Sequence, residues 1–491
     1  MTTAGLWMLL VLGVLVTTTG LPVWALLLGT SSAFAVAGLM VGALDFNVLS
    51  ALSPRIIGLL ENDLLQALPL YVFIGVLLQR VAVADSIFST LIRIFRPLGP
   101  QGSVAAVATL AVGSLIAPMS GSVGASASLL SRLVGHRLRD LAPARAVALV
   151  STAATIGVVV PPSLVLILLG DAMLRAHLEA SNLPGFSLGT SRIISTQDVF
   201  NAALLPALAA LILWVIVAWR QGQPTAPNLH KTASSEHTTG NITASQMTVA
   251  FAAITLIVML LAVVFTGRLF AVEAAATGGC VLLVTTLGCR WLSWSAWRDV
   301  LHDTLTLSGS LFALLVGATT FSLVFRAFGT DRWISELALQ STWSLPFTLM
   351  CLLLFVSLCA WVLDAFEMIF VVIPIIAPAL IAKLGDAQQA SVLLLLVLQT
   401  SFLVPPMGYA VLMVRSRGGL GVAATSAIVK SLMPFIFIQL TVTACVFAFP
   451  RTVHLLDAPN IAAANEPAKS EDDVIKQMRE MSGSPPTDSG K

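Results

Sequence analysis

The sequence predicts an all-α polytopic membrane protein in which one unit of structure occurs twice. Its mean hydropathy is +0.93 and only 10% of its residues are charged, whereas soluble domains carry roughly 25% charge. Two proline pairs, Pro161-Pro162 and Pro405-Pro406, lie 244 positions apart. Each pair comes 41 positions after a polar break in an apolar stretch, at Ser120 or at Asp364. This spacing indicates an internal duplication.

The proline pairs predict a broken helix in each copy. Proline has no backbone N–H and its ring clashes with the preceding turn, so two in succession interrupt a helix. Within a membrane, such breaks are tolerated only where the freed backbone groups are buried in protein or line a cavity. Matching breaks in two halves of a chain are typical of secondary transporters with inverted repeats.

The duplication divides the chain into four regions. The first repeat is 1–220, with a re-entrant hairpin at 102–131 and a broken helix at 146–172. A polar linker follows at 221–246 and leads into the second repeat, 247–450, with a hairpin at 344–382 and a broken helix at 388–414. The tail, 451–491, is rich in Pro, Ser, Asp, Glu and Lys and is predicted to be disordered, as is most of the linker. The apolar stretches suffice for about ten to twelve spans besides the hairpins.

Charge patterning supports an inverted arrangement of the two repeats. The residues Arg80, Asp85 and Ser89 recur with the same internal spacing as Arg326, Asp331 and Ser335. Basic residues favour the cytoplasmic side, and an N-out start places most of them inside. It leaves outside Arg55, Arg175, Arg192, Arg268, Arg326, Arg332 and Lys383. The segments 86–97 and 331–340 have the spaced charges of amphipathic helices at a membrane interface.

Several classes of function are disfavoured. No histidine lies within a predicted span, so an intramembrane metalloenzyme would have no imidazole ligands, and no catalytic residue is predicted. The five cysteines form no CxxC pair and are expected to be small core residues. A net charge of +2 gives no indication of nucleic-acid binding.

The first candidate site is the polar tip of the first hairpin. Pro118 and Gly121 interrupt an apolar helix, and hydroxyl groups with freed carbonyls supply hard oxygen ligands for a cation such as Na⁺. For Ser120, Gly121 and Ser122 the repeat favours this interpretation. The alternative, that small residues simply allow close helix packing, is favoured for Ser126 and Ser128.

The second candidate is the first broken helix, residues 155–163. The half-helix that starts after Pro161-Pro162 points its positive N-terminus at the break, which suits a carboxylate, while the carbonyls before the break suit a cation. Asp171 is expected near the membrane boundary as a structural charge.

The corresponding segments of the second half are Leu363–Glu367 and Gln399–Gly408. Asp364 and Glu367 lie three residues apart and would share a helix face. Carboxylates within a membrane are costly, so a role as cation ligand or gate is the default. Glu367 is equally compatible with pairing to an arginine of another subunit.

These motifs resemble those of the DctM-like large membrane subunits of tripartite ATP-independent periplasmic (TRAP) transporters. The resemblance covers roughly residues 5–450 and rests on four segments: Ser120-Gly121-Ser122, the GxxxPPS break at 157–163, the LDxxE segment at 363–367 with Pro374 and Pro378, and QTSFLVPPMG at 399–408. The last two are similar to the mannitol/chloroaromatic-compound type in particular.

The resemblance implies an elevator-type ion transporter fold and Na⁺-driven import of a small organic acid across the bacterial inner membrane. It implies Na⁺ as coupling ion, no organic cofactor, a small four-helix membrane subunit (DctQ-like) and a periplasmic substrate-binding protein (DctP-like) as partners. One Na⁺ site would comprise Ser120, Gly121, Ser122, Gly157, Pro161 and Pro162; the other would comprise Asp364, Ala365, Thr400, Ser401, Pro405 and Pro406. The substrate would contact Ser163, Met407 and Glu367.

Two alternatives stay open. An autonomous Na⁺-coupled carboxylate carrier of similar inverted-repeat design would need no binding protein. An intramembrane enzyme or a channel is opposed by the absence of histidine from the predicted spans and of a charged pore ring.

Overall fold

The computed structural model of the chain describes residues 3–457 apart from 62, 82, 121, 136, 139–140, 161–162, 184–193, 224–243, 341–342, 405–407 and 418–419. All regular structure in these residues is helical. Within these residues, seven helices are long and apolar enough to cross a membrane, or eight if 46–60 and 65–80, bent by 53°, form one span. Further apolar helices of 10–17 residues accompany them. The prediction of an all-α polytopic membrane protein is confirmed.

In the part of the chain that the structure describes, eleven helices precede the region of the predicted linker. They are α1 Thr3–Thr19, α2 Val23–Met40, α3 Phe46–Ser50, α4 Leu52–Leu60, α5 Asp63–Arg80, α6 Val83–Phe95, α7 Gln101–Ser120, α8 Val123–Val134, α9 Pro143–Thr155, α10 Leu164–Ala180 and α11 Thr196–Gln221. A short 3-10 turn, Ile156–Val158, ends α9 just before the predicted break.

Ten helices follow. They are α12 Ala244–Phe265, α13 Ala271–Gly288, α14 Trp294–Ala327, α15 Thr330–Gln340, α16 Leu345–Cys359, α17 Ala365–Glu367, α18 Ile373–Leu384, α19 Ala387–Leu403, α20 Tyr409–Arg417 and α21 Thr425–Ala448. A π-helical turn, Met368–Val372, joins α17 to α18. Since α9 begins at 143 and α19 at 387, the interval of 244 residues recurs in the helix positions. Re-entry of the two hairpins into a membrane stays a prediction.

Three details differ from expectation. The five cysteines, expected in the core, are exposed or half-buried, as is compatible with apolar surfaces that face lipid. The apolar stretch 309–326 is only the C-terminal half of the 34-residue helix α14. Its N-terminal half is more polar, and there Asp299 and Asp303 bind Arg80 of α5 at 3.4 and 2.7 Å. Ordered structure also continues past 450, because Pro450–Val453 form a 3-10 turn and His454 Nε2 lies 2.7 Å from Asp386 Oδ2. Most of the predicted linker and tail lies outside the described residues.

The most deeply buried helices are α9 and α19, which lead into the two breaks, and α10, which follows the first break. The buried residues number 11 of 13 in α9, 15 of 17 in α19 and 12 of 17 in α10. The hairpin helices α7 and α8 pack on α9, α16 packs on α19, and α18 packs on α10. A second group forms around α14, which packs on α2 and α5, with α13 on α5 and α12 on α6. Its helices expose large apolar side chains such as Val258, Val284 and Leu305, as expected for surfaces facing lipid. We call the helices around α14 the outer group, and α9, α10, α19 and the hairpin helices packed on them the inner group. The inner group carries the candidate site.

Candidate functional site

The two hairpin tips meet. Ser122 precedes α8 with extended backbone, and Asp364 precedes α17 in the same way. Ser122 Oγ lies 3.5 Å from Asp364 Oδ2, a long hydrogen bond between residues 242 positions apart in the sequence. The structure therefore brings together the polar breaks that the sequence singled out in each half.

The two carboxylate oxygens of Asp364 have different surroundings, because Ser122 contacts only Oδ2. Its backbone N–H donates to the Glu367 carboxylate at 3.0 Å, which closes the first turn of α17 in the manner of a capping box. Among the described residues, the buried Asp364 Oδ1 has no hydrogen-bond partner. A buried carboxylate oxygen without a partner is costly, and a cation beside it removes that cost. The tip thus fits a bound cation. Ala365, predicted for the same site, is fully buried beside it.

Gly157 lies where two backbones nearly touch. A Cβ atom at this position would be 2.5 Å from the Ala117 carbonyl and 2.9 Å from the nitrogen of Pro118. Only glycine allows the 3-10 turn before the first break to approach the end of the hairpin helix α7 so closely. This contact keeps the residues that precede the first break next to the end of α7, which leads into the first hairpin tip.

In the second broken helix, hydroxyl groups take the corresponding place. Thr400 Oγ1 lies 2.6 Å from Leu396 O, and Ser401 Oγ lies 2.7 Å from Val397 O and 2.8 Å from Ser357 Oγ. Each hydroxyl has one hydrogen to donate and two lone pairs, so at least one lone pair on each oxygen stays available to a cation. The positions 244 residues before Ser401 and Ser357 are Gly157 and Gly113.

The predicted substrate ligands are engaged locally. Ser163 is fully buried, and its Oγ accepts a hydrogen bond from the Leu166 N–H at 3.1 Å, which caps α10. Glu367 holds the turn at Asp364. Their contact with substrate stays a prediction.

Several predicted ligands lie outside the described residues, so neither Na⁺ set is seen whole. They are Gly121, Pro161, Pro162, Pro405, Pro406 and Met407. Ser120 ends α7, and only its backbone is described. In the described part of the chain, no group of three or more His, Cys, Asp or Glu side chains could hold a metal ion. Among the described residues, the oxygen atoms at the tips that could bind a cation are hydroxyl and carbonyl oxygens and the carboxylates of Asp364 and Glu367.

Tyr409 is a site residue that sequence reasoning missed. It begins α20 directly after the second break, and its ring lies 6.0 Å from that of Phe402. A methyl group at Gly124 would be 3.0 Å from Tyr409 Oη and 3.7 Å from Ser122 Oγ. The phenol also interacts electrostatically with Asp364 and Glu367. Its position after the break, in a chain with only two tyrosines, was the available signal.

The fold is that of a polytopic membrane transporter. It is similar to the structure of the YdaH transporter of Alcanivorax borkumensis, with a TM-score of 0.60 and 14% identity, over 84% of this chain and 91% of that one. It is also similar to MtrF of Neisseria gonorrhoeae, described in an account of antimetabolite efflux pumps, with a TM-score of 0.51 and 13% identity, over 81% and 83% of the two chains.

The sequence narrows this class to one family. Residues 8–452 match the model of the DctM component of tripartite ATP-independent periplasmic transporters, and the chain belongs to this family of large permease subunits. The sialic acid TRAP transporter large permease protein SiaM of Vibrio cholerae is 22% identical over 82% of this chain and 88% of SiaM. The sialic acid TRAP transporter permease protein SiaT of Haemophilus influenzae is 23% identical over 90% of this chain, which spans 66% of SiaT. The resemblance in the motifs is confirmed; the finer mannitol/chloroaromatic-compound type stays a prediction.

Proposed function

We propose that this chain is the Na⁺-coupled membrane component of a tripartite transporter in the bacterial inner membrane, importing a small organic acid. The observation that carries the proposal is the meeting of the two hairpin tips around Asp364, whose buried Oδ1 lacks a partner among the described residues. Na⁺ bound there would neutralise the carboxylate and tie one tip to the other.

The acid would bind beside the ions. Helix α10 starts at the first break and α20 at the second, and the N-terminus of a helix favours negative charge. Na⁺ bound first would lower the cost of placing a carboxylate near Asp364 and Glu367. This order couples the uptake of acid to the sodium gradient.

Movement would follow the division into two groups of helices. The inner group carries both tips and both breaks, so it can move as one body past the outer group in an elevator motion. Polar links join the groups at their margins, including Arg132 Nη2 to Gln79 O at 3.4 Å and Arg326 to Glu179. A small four-helix membrane subunit would brace the outer group, and a periplasmic binding protein would deliver the acid; family membership supports both.

The test is uptake by the purified chain in proteoliposomes. Labelled N-acetylneuraminate is the first probe, because two relatives are sialic acid transporters by name, and other organic acids complete the panel. Uptake that requires a Na⁺ gradient, the small subunit and the binding protein supports the proposal. Na⁺-driven uptake by this chain alone would establish the autonomous carrier instead. Uptake that ignores the Na⁺ gradient would refute Na⁺ coupling.

A further inference from the structure

A cavity of about 540 Å³ lies away from the hairpin tips, between the outer and inner groups of helices. Its walls come from α4, α5, α10, α14 and the second arm of the second hairpin, where Phe370 and Pro374 contribute apolar surface. Asp364, Glu367 and Tyr409 do not line it. It is therefore a separate compartment, bounded on one side by the arm that begins at the candidate ion site.

Among the residues that the structure describes, the charged groups on the cavity wall are three guanidinium groups and two carboxylates, a balance of +1. Arg175 Nε binds Asp171 Oδ2 at 3.1 Å, and Arg326 binds Glu179. The Arg55 side chain is exposed and makes no hydrogen bond or ion pair with any residue that the structure describes. Asp331 interacts electrostatically with Glu179 but does not line the cavity. The uncompensated charge of the wall is therefore that of Arg55.

Arg55 also lies near a second positive charge, that of Arg326. It interacts electrostatically with both Arg326 and Glu179, and the pairing of Glu179 with Arg326 leaves Arg55 without a carboxylate of its own. A planar guanidinium with free N–H groups binds a carboxylate through two parallel hydrogen bonds. An arriving carboxylate would offset the repulsion between the two arginines as well as pair with Arg55.

The rest of the wall suits the body of a small organic acid. Leu59 and Leu315 are apolar, whereas Thr319, Ser322 and Asn182 offer hydroxyl and amide groups. The volume is within the usual range for small-molecule sites. With a wall charge of +1, an acid with one carboxylate leaves the cavity neutral, while a second carboxylate would face Asp171 and Glu179.

We propose that this cavity is a second binding site, in which Arg55 holds the carboxylate of a hydroxylated monocarboxylic acid. The Lys and Arg distribution places Arg55, Arg175 and Arg326 outside, so an acid from that side meets this cavity before the hairpin tips. That the acid is the transported cargo rests on the function proposed above; its binding to Arg55 does not.

The test is binding to the full-length chain in detergent, measured by titration calorimetry in low-salt choline buffer without Na⁺. The probes are N-acetylneuraminate and gluconate, each with a neutral counterpart, the methyl ester and gluconamide. The acids are expected to bind the wild type and the neutral compounds are not. Arg55→Gln should weaken binding at least tenfold, since hydrogen bonds to charged groups contribute about that much. Arg55→Lys should retain part of the affinity.

The matched control is Arg332→Gln, which removes an exposed arginine of α15 that does not line the cavity and should leave binding unchanged. Three results would overturn the proposal: equal binding by Arg55→Gln, equal binding of the neutral compounds, or no binding of either acid to the wild type. Asp364→Asn separates the two sites. Loss of Na⁺-driven uptake with intact Arg55-dependent binding in this variant supports the cavity site. Absence of Na⁺-coupled uptake in the wild type would refute only the transport proposal.

Discussion

Gln399 donates a hydrogen bond from Nε2 to the carbonyl oxygen of Thr155 at 3.2 Å, and the two residues occupy the same position in the two halves of the chain, 244 residues apart. Positions related by an approximate two-fold operation contact each other only near its axis. Gln439 extends the contact, because its Nε2 donates to Gln399 Oε1 at 2.7 Å. A hydrogen bond therefore joins the two broken helices just before their breaks.

Gln399→Met is expected to loosen this junction. The substitution nearly conserves volume but leaves the Thr155 carbonyl and the Gln439 amide without the amide they contact, at a cost of about 1–3 kcal/mol. The apparent melting temperature in detergent should fall. Gln66→Met, at an exposed position of α5, is the control and should leave it unchanged. An equal melting temperature for both variants would contradict a structural role for the Gln399 contact.

Asp364→Asn should weaken Na⁺ dependence without unfolding the protein. The amide keeps the shape of the side chain but removes the charge that a cation at the hairpin tips would neutralise. We expect the Na⁺ concentration for half-maximal uptake to rise at least tenfold, with an unchanged elution profile in size-exclusion chromatography. Glu336→Gln removes an exposed carboxylate of α15 and serves as the control. Normal Na⁺ affinity in Asp364→Asn would remove Asp364 from the ion site.

Gly157→Ala tests the close approach of the two backbones in the first half. The added methyl group would lie 2.5 Å from the Ala117 carbonyl, and backbone atoms there cannot yield as a side-chain end could. Overpacking of this kind costs about 1–3 kcal/mol. Gly29→Ala is the matched control, since nothing lies within 4 Å of that Cβ position on α2 and alanine is the better helix former. In thermal unfolding, the apparent melting temperature should fall for Gly157→Ala and should not fall for Gly29→Ala.

Tyr409→Phe tests the role of the hydroxyl group apart from that of the ring. The ring contact with Phe402 remains, so the fold is expected to be stable, while the hydroxyl near Ser122 and the two carboxylates is lost. We expect lower apparent Na⁺ affinity and slower uptake. Tyr71→Phe alters the other tyrosine, in α5, and should change neither. Wild-type Na⁺ affinity in Tyr409→Phe would limit Tyr409 to packing.

Glu179→Gln should strengthen anion binding in the cavity that Arg55 lines. It removes the carboxylate bound to Arg326 and raises the charge of the cavity wall from +1 to +2. Monocarboxylates should bind several-fold more tightly at low salt, and the gain should shrink as salt screens the charges. Glu61→Gln, at an exposed position that does not line the cavity, is the control. Weaker binding in Glu179→Gln would mean that Glu179 itself contacts the ligand.

The sequence predicted the features that depend on local chemistry. Proline pairs break helices wherever they occur, so both breaks and their equal spacing were visible without coordinates, as was the isolated Asp364 in an apolar stretch. The membrane class followed from hydropathy alone. The start of α14 was missed because Asp299 and Asp303 make it look like a connection, although Arg80 compensates both.

The roles of polar residues at the breaks were harder to predict, because helix caps and ligands use the same residue types. Ser163 and Glu367 were predicted to contact substrate, and both make capping contacts in the structure. The spacing of Asp364 and Glu367 is that of a capping box and was readable as such. By contrast, Arg55 gains its surroundings from helices remote in the sequence, so no local pattern marks it, and the local signal for Tyr409 was its position after the second break.

Helix α14 also bears on the depth of the protein in the bilayer. Its 34 residues extend about 51 Å, whereas a hydrocarbon core is about 30 Å thick. Even at a tilt of about 40°, the upper end of the usual range, several residues must emerge from the hydrocarbon. The stretch from Asp303 to Arg326 measures about 35 Å, close to one core thickness. This length predicts that the ion pairs Arg80–Asp303 and Arg326–Glu179 lie near the two opposite water boundaries, with one of the repeat-related arginines at each.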